Sequence, residues 1–424
     1  SPGTGLLIET MGKSATDALA INLDRLKADI ETVNRIGRVE GLPGINRISF
    51  SDADMAGRRW LLDRLTDAGL EARMDGVGNV FGRWPAGAGP AVMAGSHLDT
   101  VPQGGPFDGS LGVCAALEAV RALKDAGIDP ARPIEVVCTA DEEGRFGGML
   151  GSQTICGEVG TDWIAQATDE TGLPLAEAMR AQGLDPEAAL ARDPSDFAVF
   201  LELHIEQGPV LERAGVPIGI VDAISGVFNW TVKLSGEANH SGTTPMDCRR
   251  DAFRGLADFG AAIPAILARA GGLDTRLTVG KVALGPNFPH SIAGEAVFSL
   301  VGRDADEAVM QTLAAACRAE IGRAAERNGL GSEIAEQSWL APTGLDTHVA
   351  KRLIEMTRQS GMEARMMSSG AGHDVQTFAR HCPAGLIFVP SVGGISHAPG
   401  EWTDWTDVRR GANLLARAIA SFAT

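Results

Sequence analysis

The chain has 424 residues, long enough for two domains with separate cores, since single domains usually run to about 100–200 residues. Its 44% hydrophobic and 21% charged content is that of an ordinary soluble globular protein, and no apolar run approaches the roughly 20 residues that span a bilayer. A formal charge of −17 with no Lys/Arg-rich patch argues against nucleic acid and anionic membrane surfaces as partners and leaves small molecules as the expected ligands. The cysteines at 114, 138, 156, 248, 317 and 382 are scattered, without CxxC spacing, several inside apolar runs, so reduced, buried thiols in a cytoplasmic protein are expected. The opening SPGTGLLIET has neither a basic segment nor a long apolar core and is not expected to take part in the fold.

Along the chain, helix-period and strand-like segments alternate. DMAGRRWLLDRLTDAGLEARMD reads as an amphipathic helix running into a strand, PAVMAGSHLDT as a buried strand, GSLGVCAALEAVRALKDAG as a helix and RPIEVVCTADEEG as another buried strand. This βαβ order predicts an α/β fold whose mixed, mostly parallel sheet is flanked by helices. Near residue 218 the texture changes. FNWTVKLSGEANH alternates like a half-exposed antiparallel strand, RRDAFRGLADFGAAIPAILARA is a helix, RLTVGKVALG and GEAVFSLVGRD are strands, and a long helix follows from DEAVMQTLAAACRAEIG. A four-stranded, two-helix α+β domain inserted over 218–335 fits this segment, between two parts of a first domain at 12–217 and 336–424, where HVAKRLIEMTRQSG, GLIFVPSVGG and a closing helix restore the α/β pattern.

Four stretches concentrate chemistry: GSHLDTVPQGGPFDGSLGV at 95–113, CTADEEGRFGG at 138–148, LELHIEQGP at 201–209 and GISHAPGEW at 394–402. Each sets imidazole or carboxylate beside glycine and turn residues, and His97 and Glu142/Glu143 lie just past strand ends, where α/β sheets collect ligands. One histidine after a strand is more often a satisfied hydrogen-bonding group than a ligand; four clusters together change that reading. Mixed imidazole and carboxylate donors suit Zn2+ or Mn2+, whereas calcium and magnesium prefer oxygen alone. Two divalent ions held close together need a shared carboxylate, which Asp108 can supply from its glycine loop. Glu142 and Glu143 are adjacent, so one can face a metal while the other faces the reacting atom.

These stretches, together with ANHSGTTPM, SGAGHD and GGISHAP in the same order, resemble the hydantoinase/carbamoylase amidases of the dinuclear-zinc aminoacylase and carboxypeptidase superfamily, from about residue 20 to the end. The resemblance implies a zinc-exopeptidase-like catalytic domain and an inserted dimerisation or lid domain. It implies two divalent ions per subunit, Zn2+, Mn2+, Co2+ or Ni2+, one held by His97 and His204, the other by Glu143 and His397, with Asp108 bridging both. Glu142 would be the general base, and Asp99 would orient a ligand imidazole by accepting its other N–H. His240, on the inserted domain, would stabilise the oxyanion and reach the site of a partner subunit, which implies a homodimer. Gln207 would contact the substrate's carbamoyl or amide end, and the Gly372–His373 loop would meet substrate oxygens. The expected reaction is hydrolysis of a C–N bond in an N-carbamoyl amino acid or a related carboxylate-bearing amide. The alternative is an N-acyl amino acid hydrolase or aminopeptidase of the same superfamily.

The sequence departs from the family at the substrate carboxylate. Relatives pair an asparagine opening an NxxPG stretch with an arginine thirteen residues on; here Arg303 is present, but the stretch reads HSIAG, with His290 in the asparagine's place. Arg303 keeps the bidentate fork that suits a carboxylate, whereas His290 offers a single N–H or a positive charge. Asn287, three residues earlier, is a candidate stand-in. His348 and His381 match nothing and read as surface or packing residues, and Trp402 and Trp405 as packing at the site's rim. A binding protein without catalysis would not need Glu142, His240 and all five ligands. A cysteine amidase would need a nucleophile turn that none of the cysteines has.

Overall fold

The computed structural model describes residues 16, 18–188 and 191–424; the SPGTGLLIET segment and the expected domain start at residue 12 lie outside them. Two compact units emerge, one made of residues up to Asp222, Leu345–Met367 and His373–Thr424, the other of Ala223–Gly344 and Ser368–Gly372. The expected boundary at 217/218 stands at the first residue of the Ile218–Ile224 strand and that at 335/336 inside the Gly331–Leu340 strand. The observed divisions come later, after Asp222 and after Gly344.

In the first unit the strands run across the sheet in the order Glu71–Met74, Val80–Trp84, Ile134–Thr139, Ala91–His97, Phe197–Ile205, Ala384–Val389 and Ile218–Ile224. The four central strands are mutually parallel, and their flanking partners pair antiparallel. AVMAGSH, IEVVCT and AGLIFV are buried at every position, as parallel strands covered on both faces must be. The Ser110–Asp125 helix is buried from Ser110 to Val120 and packs with Trp405–Ala423 in the main core. Each fully buried leucine there, such as Leu111, Leu117 and Leu415, contributes about 1.5–3 kcal/mol of transfer free energy. Because the central strands are parallel, His97, His204 and the segments after Thr139 and Val389 all come to the same, carboxyl-terminal edge.

Arg47 ties this edge to the N-terminal helix. Its fully buried guanidinium donates to the carbonyls of Leu98, Val33 and Ile36, so the residue after His97 is fixed by a charged, three-way anchor.

The second unit has a five-stranded antiparallel sheet rather than the expected four strands. RLTVGKVALG breaks into Arg276–Thr278 and Val282–Gly285, both paired to Glu295–Asp304. The break arises at Lys281, whose N–H goes to the Ser299 hydroxyl while its carbonyl takes the Ser299 N–H. Gly226–Ser235 and Glu295–Asp304 alternate strictly between buried and half-buried residues. Their buried set, including Phe228, Trp230, Val232, Phe298 and Leu300, forms a separate core with helices Ala252–Ala270 and Glu307–Arg327. Asp251 and Asp306 cap those helices by accepting backbone N–H groups.

Cys114, Cys138, Cys156 and Cys317 are buried free thiols, but Cys248 is exposed and Cys382 half-buried, so the expectation of buried cysteines holds for the apolar settings and fails for the two in polar turns. Among the described residues no helix is long and apolar enough to cross a membrane.

Candidate active site

Five expected ligands converge at the carboxyl edge of the first unit's sheet. Asp108 lies at their centre, with its two oxygens turned to different partners. Oδ1 is 3.5 Å from His97 Nε2 and 3.2 Å from His204 Nε2, whereas Oδ2 is 3.0 Å from His397 Nε2. Glu143 Oε2 stands 3.3 Å from the same His397 nitrogen. The sets His97, Asp108, His204 and Asp108, Glu143, His397 each bring ligand atoms within 4.8 Å of one another.

The donor chemistry fits a divalent cation. His97 Nδ1 lies 2.9 Å from the Asp99 carbonyl and His204 Nδ1 2.8 Å from the Ile205 carbonyl. A carbonyl can only accept, so each Nδ1 carries a proton and each Nε2 is the nitrogen turned toward the carboxylates. Without a cation those close approaches are met by protons. Burial works against charge on His97, but Glu142, Asp108 and Asp99 outweigh it and raise its pKa well above the ordinary value. Asp108 and Glu143 raise His397 to about 10. Burial would raise the Asp108 carboxyl, yet hydrogen bonds from His204, His397 and His97 hold it well below the usual range. Burial, aided by Asp108, pushes Glu143 up to about 7. A cation taking the place of those protons satisfies the same nitrogen and oxygen atoms.

Gly109 permits this packing. At φ +72° it is left-handed, and a Cβ there would lie 2.5 Å from the His97 ring and carbonyl. Strain gathers elsewhere in the site: Asp141, Gln207 and His397 are non-glycine residues at φ +49°, +61° and +53°, conformations that cost on the order of 1–3 kcal/mol each and persist only where neighbours enforce them. Asp141 is enforced by its own carboxylate, which accepts the Arg145 and Phe146 N–H groups.

Asp99 does not play its expected part. Its backbone carbonyl, not its carboxylate, receives the His97 N–H, the nearer carboxylate oxygen being 3.7 Å away. The side chain, buried completely, accepts instead from the Glu142 N–H, the Glu143 N–H and the Ser49 hydroxyl. Asp99 therefore positions both glutamates. The two then diverge: Glu142 Oε2 lies 3.4 Å from His97 Nε2, and Glu143 faces His397. Burial raises the Glu142 pKa well above the ordinary carboxyl value; His97 opposes this, and Glu143, Asp374 and Asp108 add to it.

His373, expected at the substrate, is buried, its ring 4.4 Å from that of His204 and 5.5 Å from Phe388. Burial, and then His204, hold its pKa well below the ordinary value, so a neutral ring packs against His204. Asp374 accepts from the Thr139 hydroxyl at 2.5 Å. Gln207 Nε2 donates to Asp108 Oδ2 and Ser396 Oγ, which leaves its carbonyl oxygen as the amide's remaining polar atom for a ligand. Trp402 and Trp405 cage Phe107 at 5.3 and 5.4 Å, as rim packing requires. Glu401 and Ser396, which no reading of the sequence singled out, hydrogen-bond to the Asp108 loop and to Gln207; their signal was the acid and hydroxyl flanking His397 in SHAPGE.

His240, Asn287, His290, Arg303 and Gly372 belong to the second unit. His240 Nδ1 accepts the N–H groups of Gly242 and Thr243, which places the imidazole proton on Nε2, an available donor. His240 bridges Ser291, and Ser241 N–H reaches the His290 carbonyl, so the His240 and His290 segments are paired. Asn287, left-handed at φ +55°, lines a cavity of about 260 Å³ with Leu284, Phe288, Pro289, Ser291 and Ala293. Arg303 donates to the Gly370 carbonyl at 3.2 Å, in the loop that also contains Gly372.

Residues 93–421 match the model of Peptidase family M20/M25/M40. The chain belongs to this family, within its hydantoinase/carbamoylase amidases, and is a hydrolase. It is 35% identical over 402 residues to an N-carbamoyl-L-amino-acid amidohydrolase of Paenarthrobacter aurescens, covering 93% of this chain and 97% of that one. It is 36% identical over 389 residues to an allantoate amidohydrolase of Escherichia coli strain K12, covering 90% and 93%. The crystal structure of a hydantoinase/carbamoylase family amidase from Burkholderia multivorans superposes with a TM-score of 0.89 at 32% identity, covering 96% of this chain and 99% of that one. The family is metal-dependent.

Proposed function

We propose that the protein is a dinuclear-metal-dependent amidohydrolase that cleaves a C–N bond of an N-carbamoyl amino acid or a related carboxylate-bearing amide. The observation that carries this is Asp108, one oxygen turned to His97 and His204 and the other to His397 beside Glu143. His97, His204 and Asp108 would hold one ion, and Glu143, His397 and Asp108 the other. Zn2+ or Mn2+ held there would supply Lewis-acid charge for the scissile carbonyl and for water. Glu142, fixed through its backbone by Asp99 and with Oε2 3.4 Å from His97 Nε2, takes the proton from the attacking water and delivers it to the leaving nitrogen. His240 donates its Nε2–H to the developing oxyanion. Gln207 meets the amide or carbamoyl end through its carbonyl oxygen. Arg303 grips the substrate carboxylate, aided by His290 or Asn287 and the Gly372–His373 loop. Screening metal-reconstituted protein against ureido and acyl amino acids should show ammonia release from a ureido compound. Turnover confined to N-acyl amino acids or peptides would overturn the ureido reading in favour of an aminoacylase or aminopeptidase.

The second unit acts as lid and dimerisation domain of a cytoplasmic homodimer in this reading, with His240 serving the partner's site. Its Gly331–Leu340 edge strand, exposed along nearly all its length with Trp339 and Leu340, supports such a role. His240→Ala and Glu142→Gln proteins should each be nearly inactive, and mixed dimers verified by tagged co-purification should regain one working site. Verified heterodimers without activity would place His240 in its own subunit's site.

Specificity gives a further expectation. Arg303→Lys keeps charge but loses the planar fork, so it should chiefly raise KM. His290→Asn should weaken turnover of the native substrate and improve hydrolysis of ordinary N-carbamoyl-L-amino acids. A wild-type enzyme efficient on those compounds and indifferent to His290→Asn would show that His290 does not set specificity.

A further inference from the structure

Glu401 is 1% exposed, although Gly400 and Trp402 on either side of it are exposed. A carboxylate is buried at this depth only when its acceptor sites are filled. Oε1 takes the backbone N–H groups of Phe107 and of Asp108 itself, each at 2.9 Å, and Oε2 takes the Ser396 hydroxyl at 2.8 Å. Gly105 makes room: a Cβ there would stand 2.3–2.4 Å from the Glu401 side chain. The hydroxyl of Ser396 has one proton, which goes to Glu401, so its oxygen must accept from Gln207 Nε2, 3.0 Å away. That fixes which end of the Gln207 amide is nitrogen, and its second proton goes to Asp108 Oδ2 at 3.1 Å. The ring closes on the residue where it began.

Only one oxygen of Asp108 is touched by this ring. Oδ2 faces His397, whose own chain neighbour is Ser396, whereas Oδ1 faces His97 and His204. Those two imidazoles are 2% and 1% exposed and are anchored separately, by the carbonyls of Asp99 and Ile205. His397 is 49% exposed and left-handed, so burial does little to hold it. We propose that Glu401, Ser396 and Gln207 are positioning residues that set the Asp108 Oδ2 and His397 geometry and so govern capture of the second ion, independently of the first. This rests on the dinuclear reading above. Ser396→Ala breaks the ring at its middle without removing a ligand, and Glu401→Gln keeps the volume while replacing an acceptor by a donor.

The test titrates metal-free wild type, Ser396→Ala, Glu401→Gln and the reference His397→Ala with Mn2+ alone, counting bound ions by equilibrium dialysis and elemental analysis. Thermal midpoints of the metal-free proteins serve as the fold check. Wild type should bind two ions. Ser396→Ala and Glu401→Gln should keep the first affinity and lose about 10–100-fold in the second, the usual effect of removing an outer hydrogen bond to a metal ligand, with a midpoint near wild type for whichever variant is read. His397→Ala should bind one ion. Unchanged affinity for both ions in the ring variants, or parallel loss of both, would overturn the proposal while leaving the dinuclear reading standing. A single ion on saturated wild type would refute that reading and the proposal with it.

Discussion

Asp108→Ala should strip both ions from the protein together and reduce turnover to background. After the substitution one side retains only His97 and His204 and the other only Glu143 and His397, two protein ligands each where a catalytic zinc site has three. The surviving imidazoles would still have their Nδ1–H groups on the Asp99 and Ile205 carbonyls, so the framework should persist while the sites empty. Asp108→Asn separates geometry from charge: its amide presents one acceptor and one donor, so it should keep at most one ion. Elemental analysis of protein dialysed against a fixed Mn2+ or Zn2+ concentration, read beside activity, checks both variants. If Asp108→Ala retained one ion at wild-type affinity, the carboxylate would not be shared. Chelation should abolish wild-type activity, and Mn2+, Zn2+ or Co2+ should restore it.

Glu142→Gln should leave metal content nearly normal and lower kcat by at least about 10²-fold, the usual scale for a positioned proton-transfer group. The side chain keeps its length, and its N–H to Asp99 belongs to the backbone and is unaffected. What disappears is an oxygen able to take and return a proton. KM should change little, because the carboxylate is assigned to the transition state rather than to substrate binding. Glu143→Gln should do the reverse, losing the ion shared with His397. A Glu142→Gln protein that lost metal while Glu143→Gln kept it would exchange the two roles.

The strands and helices were legible because their periodicity is local: AVMAGSH and IEVVCT read as strands buried on both faces, and FNWTVKLS as a half-exposed one. The residue types of the candidate site were legible for a related reason, since a metal site calls for His, Asp and Glu beside backbone that turns sharply, and glycine marks such turns. What the sequence could not show was direction. His97 and Asp99 are two residues apart, yet which atom of Asp99 faces the imidazole depends on a left-handed glycine at 109 and on two backbone N–H groups from another strand's end. Nor could spacing reveal that Glu401 closes over the Asp108 loop from 293 residues away. RLTVGKVALG kept its strand character but not its continuity, because the interrupting hydroxyl comes from Ser299 on the neighbouring strand. Sequence by itself determined the α/β class, the change of texture near residue 218 and the residue types that gather in the candidate metal site, all set by side-chain type and short-range period. Tertiary structure alone decided which oxygen of Asp108 faces which histidine, what Asp99 and His373 support, and how Glu401 reaches the site, because hydrogen bonds between distant segments are fixed by direction and distance, and neither is written in residue order.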